Sequence, residues 1–139
     1  MESVKKCIAV IDGALPVGLI ANAAAILGCT LGRRVREIVG EDTIDQQGER
    51  QAGIIQTPLP VLTADQEAIR QLYCQAKETY GDEMEIIAFS DLARKSKNYD
   101  EYKMRMREKK SGQLSYLGIC LYGSKKQINH LTGNLPTLK

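Results

Sequence analysis

Three apolar runs separated by helical patterns predict an α/β fold: a three-layer α/β/α sandwich with a mostly parallel sheet. The runs are Lys6–Ile11 (KCIAVI), Met84–Phe89 (MEIIAF) and Leu114–Tyr122 (LSYLGICLY). Each is short and bounded by turn or polar residues, as buried strands are. Strands that alternate with helical segments place helices on both faces of one sheet. The 139 residues fit a single domain, 1–139, long enough to bury roughly two thirds of its unfolded surface without disulfides or metal.

The first run ends at Asp12-Gly13. Pro16 suits the first turn of a helix, where a missing N–H costs nothing. That helix is expected to reach about Leu31, with Gly32 as its C-cap and Arg33 and Arg34 at the negative end of its dipole. Within it Gly18, Ala21, Asn22, Ala25, Gly28 and Cys29 recur at helical spacing, a small-residue stripe that lets a sheet or a partner subunit approach closely. Val35–Ile44 is apolar but interrupted, and Asp45-Gln-Gln-Gly48 reads as a turn, so a hairpin or an irregular excursion is expected. In Gly53–Leu62 two prolines forbid a central paired strand through Pro58–Pro60, leaving an edge strand or an extended connection.

Thr63 is the expected N-cap of the second helix, with Asp65 and Glu67 at its positive end. Ala68, Ile69, Leu72, Tyr73 and Ala76 form its apolar face, and it ends near Gly81. Leu92–Gly112 is charged, with Tyr99 and Tyr102 embedded, and reads as one or two exposed helices. Gly123-Ser-Lys-Lys-Gln opens a last helix to about Leu131, which Thr132–Pro136 closes.

Charged residues make up 26% of the chain and hydrophobic ones 43%, ordinary for a globular protein, and the net charge of +2 is too small to argue for nucleic acid. The basic residues are unevenly spread. Arg33, Arg34 and Arg36 form one cluster; Lys95, Lys97, Lys103, Arg105, Arg107, Lys109 and Lys110 form another, interspersed with Glu101 and Glu108. The second reads as a solvated helix face, the alternative being contact with nucleic acid or an acidic partner. Cys7, Cys29, Cys74 and Cys120 lie far apart without a Cys-x-x-Cys pair, against zinc or a redox dithiol. With no secretory segment ahead of them, a reducing cytoplasm is the expected location. Gly13–Gly32 is uncharged and long enough to span a bilayer. Its Ala and Gly content, Pro16 and Asn22 point instead to a helix inside a folded domain.

Strand, glycine turn and helix N-terminus together form a place where anions bind. Gly13 and Gly18 have the spacing of a Walker A loop, but Leu19 and Ile20 stand where that loop needs Lys and Ser or Thr. With no Gly-x-Gly-x-x-Gly either, a packing turn is the favoured reading. A second anion candidate is Gly123-Ser124-Lys125-Lys126. Were the sheet parallel at these strands, both turns would meet Asp12, Ser90 and Asp91 at the carboxyl edge, where α/β folds place ligands. Otherwise Asp12 and Asp91 cap helices and the lysines are solvated. The single His130 reads as a surface or helix-dipole residue, and Gly-x-Ser-x-Gly and His-Glu-x-x-His are missing. Tyr99 and Tyr102, near Lys97, Lys103 and Arg105, either stack on a base or ring or dock a helix onto the core.

The segments KCIAVIDGALPVGLIANAAAILG, IIQTPLPVL, IAFSDLARKSKNYDEY and YGSKKQINHLTGNLPTLK resemble, in order and over nearly the whole chain, a family of uncharacterised bacterial proteins known only as a domain of unknown function. That family is similar in fold to type 2 peptidyl-tRNA hydrolases, which implies a four-stranded mixed sheet between helical layers and allows a homodimer. The hydrolase first helix opens with Gly and Lys and continues through Ala, Gln and His. Here Gly18, Ile20 and Ala21 fit, while Leu19 stands at the lysine, Ala23 at the glutamine and Ile26 at the histidine. Asp91 in FSDLARK matches the hydrolase Asp of Asp-Ala-Gly-x-Thr-Gln, without the Gly and Thr-Gln. Leu131–Leu135 (LTGNL) is similar to the C-terminal Val-Thr-Gly-x-Leu.

Three functional expectations follow. The first is a protein that binds a small polar or anionic ligand at the sheet edge through Asp12, Asn22, Ser90, Asp91, Tyr99, Tyr102, Lys125 and Lys126. The second is a divergent peptidyl-tRNA or related ester hydrolase acting on tRNA, with Asp91 as catalytic residue and a lysine from 125 or 126. The third is a non-catalytic homodimeric scaffold joined through the small-residue stripe. No metal, cofactor or membrane partner is expected in any of them.

Overall fold

The computed structural model describes residues 4–139. Strand β1 (Lys5–Asp12) leads into helix α1 (Val17–Arg34), which passes through Gly32 rather than stopping there. A short 3-10 turn and a small hairpin, β2 (Thr43–Ile44) and β3 (Arg50–Gln51), make the expected excursion. Its turn holds Gly48 at φ 85°, the left-handed region that favours glycine. Asp45 accepts from the backbone N–H groups of Gln47 and Glu49 there.

Strand β4 (Val61–Ala64) follows Pro60, and helix α2 (Gln66–Tyr80) begins after Asp65, whose carboxylate accepts from Ala68 N at 2.8 Å. Asp65 is thus the cap, and Thr63 lies in the strand. Strand β5 (Glu85–Ser90), helices α3 (Asp91–Lys95) and α4 (Tyr99–Arg107), strand β6 (Tyr116–Ser124) and helix α5 (Lys125–Thr132) complete the chain.

The four-stranded sheet has the order β4-β1-β6-β5. β1 pairs in parallel with β4, and β6 runs antiparallel to both β1 and β5. The sheet is mixed, with one parallel pair and two antiparallel ones, which corrects the expectation of a mostly parallel arrangement. Alternation of strands and helices reports layers, not direction: a crossover long enough to hold α3 and α4 can return the chain either way. β4 is an outer strand, as its neighbouring prolines require. Its free side is covered by the C-terminal segment, where Thr63 N donates to Pro136 O and Leu138 N to Val61 O, both at 2.9 Å.

Period-two alternation splits the core between the faces. Cys7, Ile11, Leu117 and Cys120 pack with Ala23, Leu27 and Leu31 of α1 on one side. Ile8, Val10, Ile119 and Leu121 pack with Ile69 and Leu72 of α2 and Ile128 and Leu131 of α5 on the other. Helices on both faces give the three layers. The register shifts at the end of β5, where Phe89 opposes Gly118 and Ser90 opposes Tyr116. This bulge turns Leu117 toward α1 beside Gly118. A Cβ on Gly118 would stand 3.2 Å from Leu27 Cδ1 and Ile11 Cγ1, so the missing side chain is what seats α1. Among the described residues no helix is long and apolar enough to cross a membrane.

Candidate functional site

The carboxyl ends of β1, β4 and β5 share one edge of the sheet, because those strands run the same way. Asp12 stands at the end of β1, buried, and both its oxygens are occupied. Oδ1 accepts from Ala14 N and Oδ2 from Gln66 Nε2, each at 2.9 Å. Its carboxylate thereby fixes the turn into α1 and ties β1 to the first turn of α2. A Cβ on Gly13 would run into Thr63 Oγ1 of β4, so this glycine permits a close approach between strand ends, as the packing-turn reading holds.

Ser90 and Asp91 stand at the same edge, two strands from Asp12, a separation of about 10 Å at standard strand spacing. Among the described residues, Ser90 Oγ is the one buried side-chain polar atom without a hydrogen-bond partner. It occupies the N-cap position of α3 yet makes no capping bond. Asp91 is partly exposed, with its Oδ2 2.8 Å from Lys95 Nζ. Asn22 is exposed on α1.

Lys125 and Lys126 lie elsewhere. Gly123 is inside β6 rather than in a turn, and Ser124 pairs with Lys5 at the amino end of β1. The nine residues of β6 separate this end from the Asp91 edge by about 27 Å at about 3.4 Å per residue. The lysines border a different surface cavity of about 560 Å³, with Val4, Ser124 and Asn129. The convergence of the two glycine segments is therefore corrected, since it needed parallel strands and β6 is antiparallel.

A groove of about 400 Å³ collects two of the expected residues, Tyr99 and Tyr102, and none of Asp12, Asn22, Ser90, Asp91, Lys125 or Lys126. Ile26 and Thr30 of α1 form one wall; Tyr99 and Tyr102 of α4, with Ala93, Ser96 and Asn98 before them, form the other; Ala88 and Phe89 of β5 lie between. Successive strand residues point to opposite faces, so a cavity that touches both Ala88 and Phe89 lies at the outer edge of the strand. The Tyr99 and Tyr102 rings are tilted at 53° with centroids 5.5 Å apart, and Tyr99 is 73% exposed. Burial, then the neighbouring Tyr99, pushes the Tyr102 hydroxyl above the ordinary tyrosine value, so it stays protonated and able to donate. Asn98 Oδ1 accepts from Glu101 N and caps α4, which orients the tyrosines, and Ser96 Oγ donates to Leu92 O at 2.7 Å.

Ile26, Thr30, Phe89, Ser96 and Asn98 line this groove without having been among the expected site residues. One signal was available: Asn22, Ile26 and Thr30 recur at i, i+4 and form a single row along α1. Among the described residues no three His, Cys, Asp or Glu side chains gather as a metal site would need.

A profile of the family described as "Protein of unknown function (DUF2000)" matches residues 5–139. Among solved structures the chain is similar to the protein of unknown function Atu0240 from Agrobacterium tumefaciens str. C58. The TM-score is 0.87 at 19% sequence identity, covering 99% of this chain and 98% of that one. At that identity the likeness speaks for the fold alone. Comparison with curated proteins gives no match.

Proposed function

We propose, for a chain that belongs to the DUF2000 family of proteins of unknown function, that it is a binding protein whose ligand is small, polar or anionic, and carries a flat apolar part. The observation that supports this reading is the groove at the outer edge of β5, about 400 Å³ in volume and walled by Tyr99 and Tyr102. That volume lies within the usual range of small-molecule sites, and the mix of apolar walls with a few polar groups is typical of them. Ile26, Phe89 and the two rings would hold the flat part; Thr30, Asn98 and the Tyr102 hydroxyl would fix its orientation.

The test is calorimetric titration with a metabolite panel and with anilinonaphthalene sulfonate, an anionic aromatic probe. Tyr102→Ala should weaken whichever of them binds by about tenfold, the loss of one stacked ring. Unchanged affinity in Tyr102→Ala would move the ligand out of the groove, and unchanged affinity in Asp91→Ala would remove Asp91 alone. The hydrolase reading is less well supported, because Asp91 and the lysines it paired with Asp91 lie at opposite ends of β6.

A homodimer through α1 is favoured by a separate observation. The solvent side of this helix carries Gly18, Ala21, Asn22, Ala25 and Cys29, with no charge before Arg33, and Val17 beside it is 83% exposed. In a two-fold contact between antiparallel copies centred on Ala25, Gly18 of one copy would meet Gly32 of the other and Ala21 would meet Cys29, small residue against small residue. Sedimentation should show a dimer that Ala25→Arg converts to monomer. A wild-type protein that stays monomeric at high concentration would end this reading.

A further inference from the structure

We infer that the groove takes an extended acidic peptide, whose main chain adds to β5 as a fifth strand while one apolar side chain lies between Ile26 and Tyr102. The inference rests on the proposed ligand site and names the class of ligand. Three observations carry it.

The first is that β5 is the outermost strand on its side. Along an outer strand, one row of N–H and C=O groups has no ladder partner. The opposite outer strand, β4, has its free side covered by Pro136 and Leu138, whereas among the described residues no hydrogen bond from outside the sheet reaches the backbone of Glu85–Phe89, Arg34 Nε donating there only to the Glu85 carboxylate. The second is position. The groove touches the consecutive residues Ala88 and Phe89 and so opens on that unpaired row. A ligand held there meets backbone donors and acceptors at strand spacing, which a peptide main chain matches and a compact molecule does not.

The third is charge. α1 ends in Arg33 and Arg34 and has no acidic residue, and from Asp91 to Arg107 six basic residues stand against three acidic ones. Arg34, Lys95 and Arg105 are already paired with Glu85, Asp91 and Glu101. Among the described residues Arg33, Lys97 and Lys103 have no ion pair; Arg33 follows Thr30 by one turn on α1, and Lys97 and Lys103 are chain neighbours of the lining residues Ser96, Asn98 and Tyr102. Carboxylates on either side of the inserted side chain would meet them. The Arg34–Glu85 pair closes the lower end of the strand, so the peptide would engage only the upper part of β5.

The probe is an end-blocked, fluorescein-labelled heptapeptide that alternates Glu and Val about a central Phe, read by polarisation and by amide hydrogen exchange of the full chain. Binding should slow exchange at Ile86–Phe89. N-methylation of the peptide amides that face β5 should weaken it about tenfold, the loss of one or two main-chain hydrogen bonds. Lys97→Glu should weaken it and a Lys-for-Glu peptide should not bind. Failure of the peptide, while small aromatic anions still bind in a manner sensitive to Tyr102→Ala, would overturn the inference and leave the ligand site standing. Binding that N-methylation does not change would overturn it too, and so would slowed β5 exchange that rises with protein concentration alone, which would assign the edge to a second copy. Failure of peptide and small anions together would remove both readings.

Discussion

Between pH 9 and pH 12 the protein will lose several kcal/mol of stability, on the order of that expected for two buried acids. Both groups belong to central strand β6. Burial pushes the Cys120 thiol from 9.0 up to about 12, with Cys7 beside it adding to the rise. Burial also pushes Tyr116 from 10.0 up to about 12, with Tyr73 and Cys74 adding and Arg70 opposing. Tyr116 is held where it is: its ring stacks on Tyr73 with centroids 4.8 Å apart, and its hydroxyl donates to Ser111 O at 3.2 Å. The folded chain therefore keeps protons that the unfolded chain releases. The contribution is intact below pH 9, falls as the unfolded thiol and then the unfolded phenol ionise, and is exhausted near pH 12. Urea unfolding at about pH 8, 9.5 and 11 checks the sign. Cys120→Ala should cost about 1 kcal/mol at the lowest pH, through its small cavity, yet lose less as the pH rises. Equal slopes for wild type and variant would refute the assignment.

The layers of this fold were legible because they depend on local pattern. β1, β5 and β6 announce themselves as apolar runs, and α2 through Ile69, Leu72 and Ala76, all buried. Strand direction was not legible, because it depends on long-range pairing. Ser124 opposes Lys5, more than a hundred residues away, and no local signal at Gly123 distinguishes a turn from the last residues of an antiparallel strand. A Cβ on Gly123 would meet Met84 at 3.2 Å, so this glycine answers to packing and not to chain reversal. Caps shifted for a related reason: Thr63 has the right chemistry to begin α2, but pairing of β4 with β1 claims its backbone and leaves Asp65 to cap.

The candidate site divides in the same way. Tyr99 and Tyr102 stood out as aromatic residues in a charged stretch, and they do line the groove. Asp12 stood out as an acid at a strand end, but its surroundings decide its role: Gln66, 54 residues further along the chain, occupies the oxygen that a ligand would need. Phe89 read only as part of a buried strand. That it also borders a cavity follows from β5 being outermost, which again is a matter of strand order.

Leu27→Ala will cost about 3 kcal/mol, within the range of buried leucine truncations. α1 is held to the sheet by three buried residues, Ala23, Leu27 and Leu31, and Leu27 is 1% exposed, directly over the bare backbone of Gly118. Gly118 has no side chain to fill the space that a truncated Leu27 leaves. Gly118→Ala alone should also destabilise, by about 1 kcal/mol or more, since its Cβ would press on Leu27 and Ile11. The two changes should not add. In the Leu27→Ala background the new methyl enters the vacated volume, so the double variant should be more stable than the sum of the single losses by about 1 kcal/mol, a coupling typical of residues in contact. Chemical denaturation of the four proteins measures it, and strict additivity would show that Leu27 does not rest on Gly118.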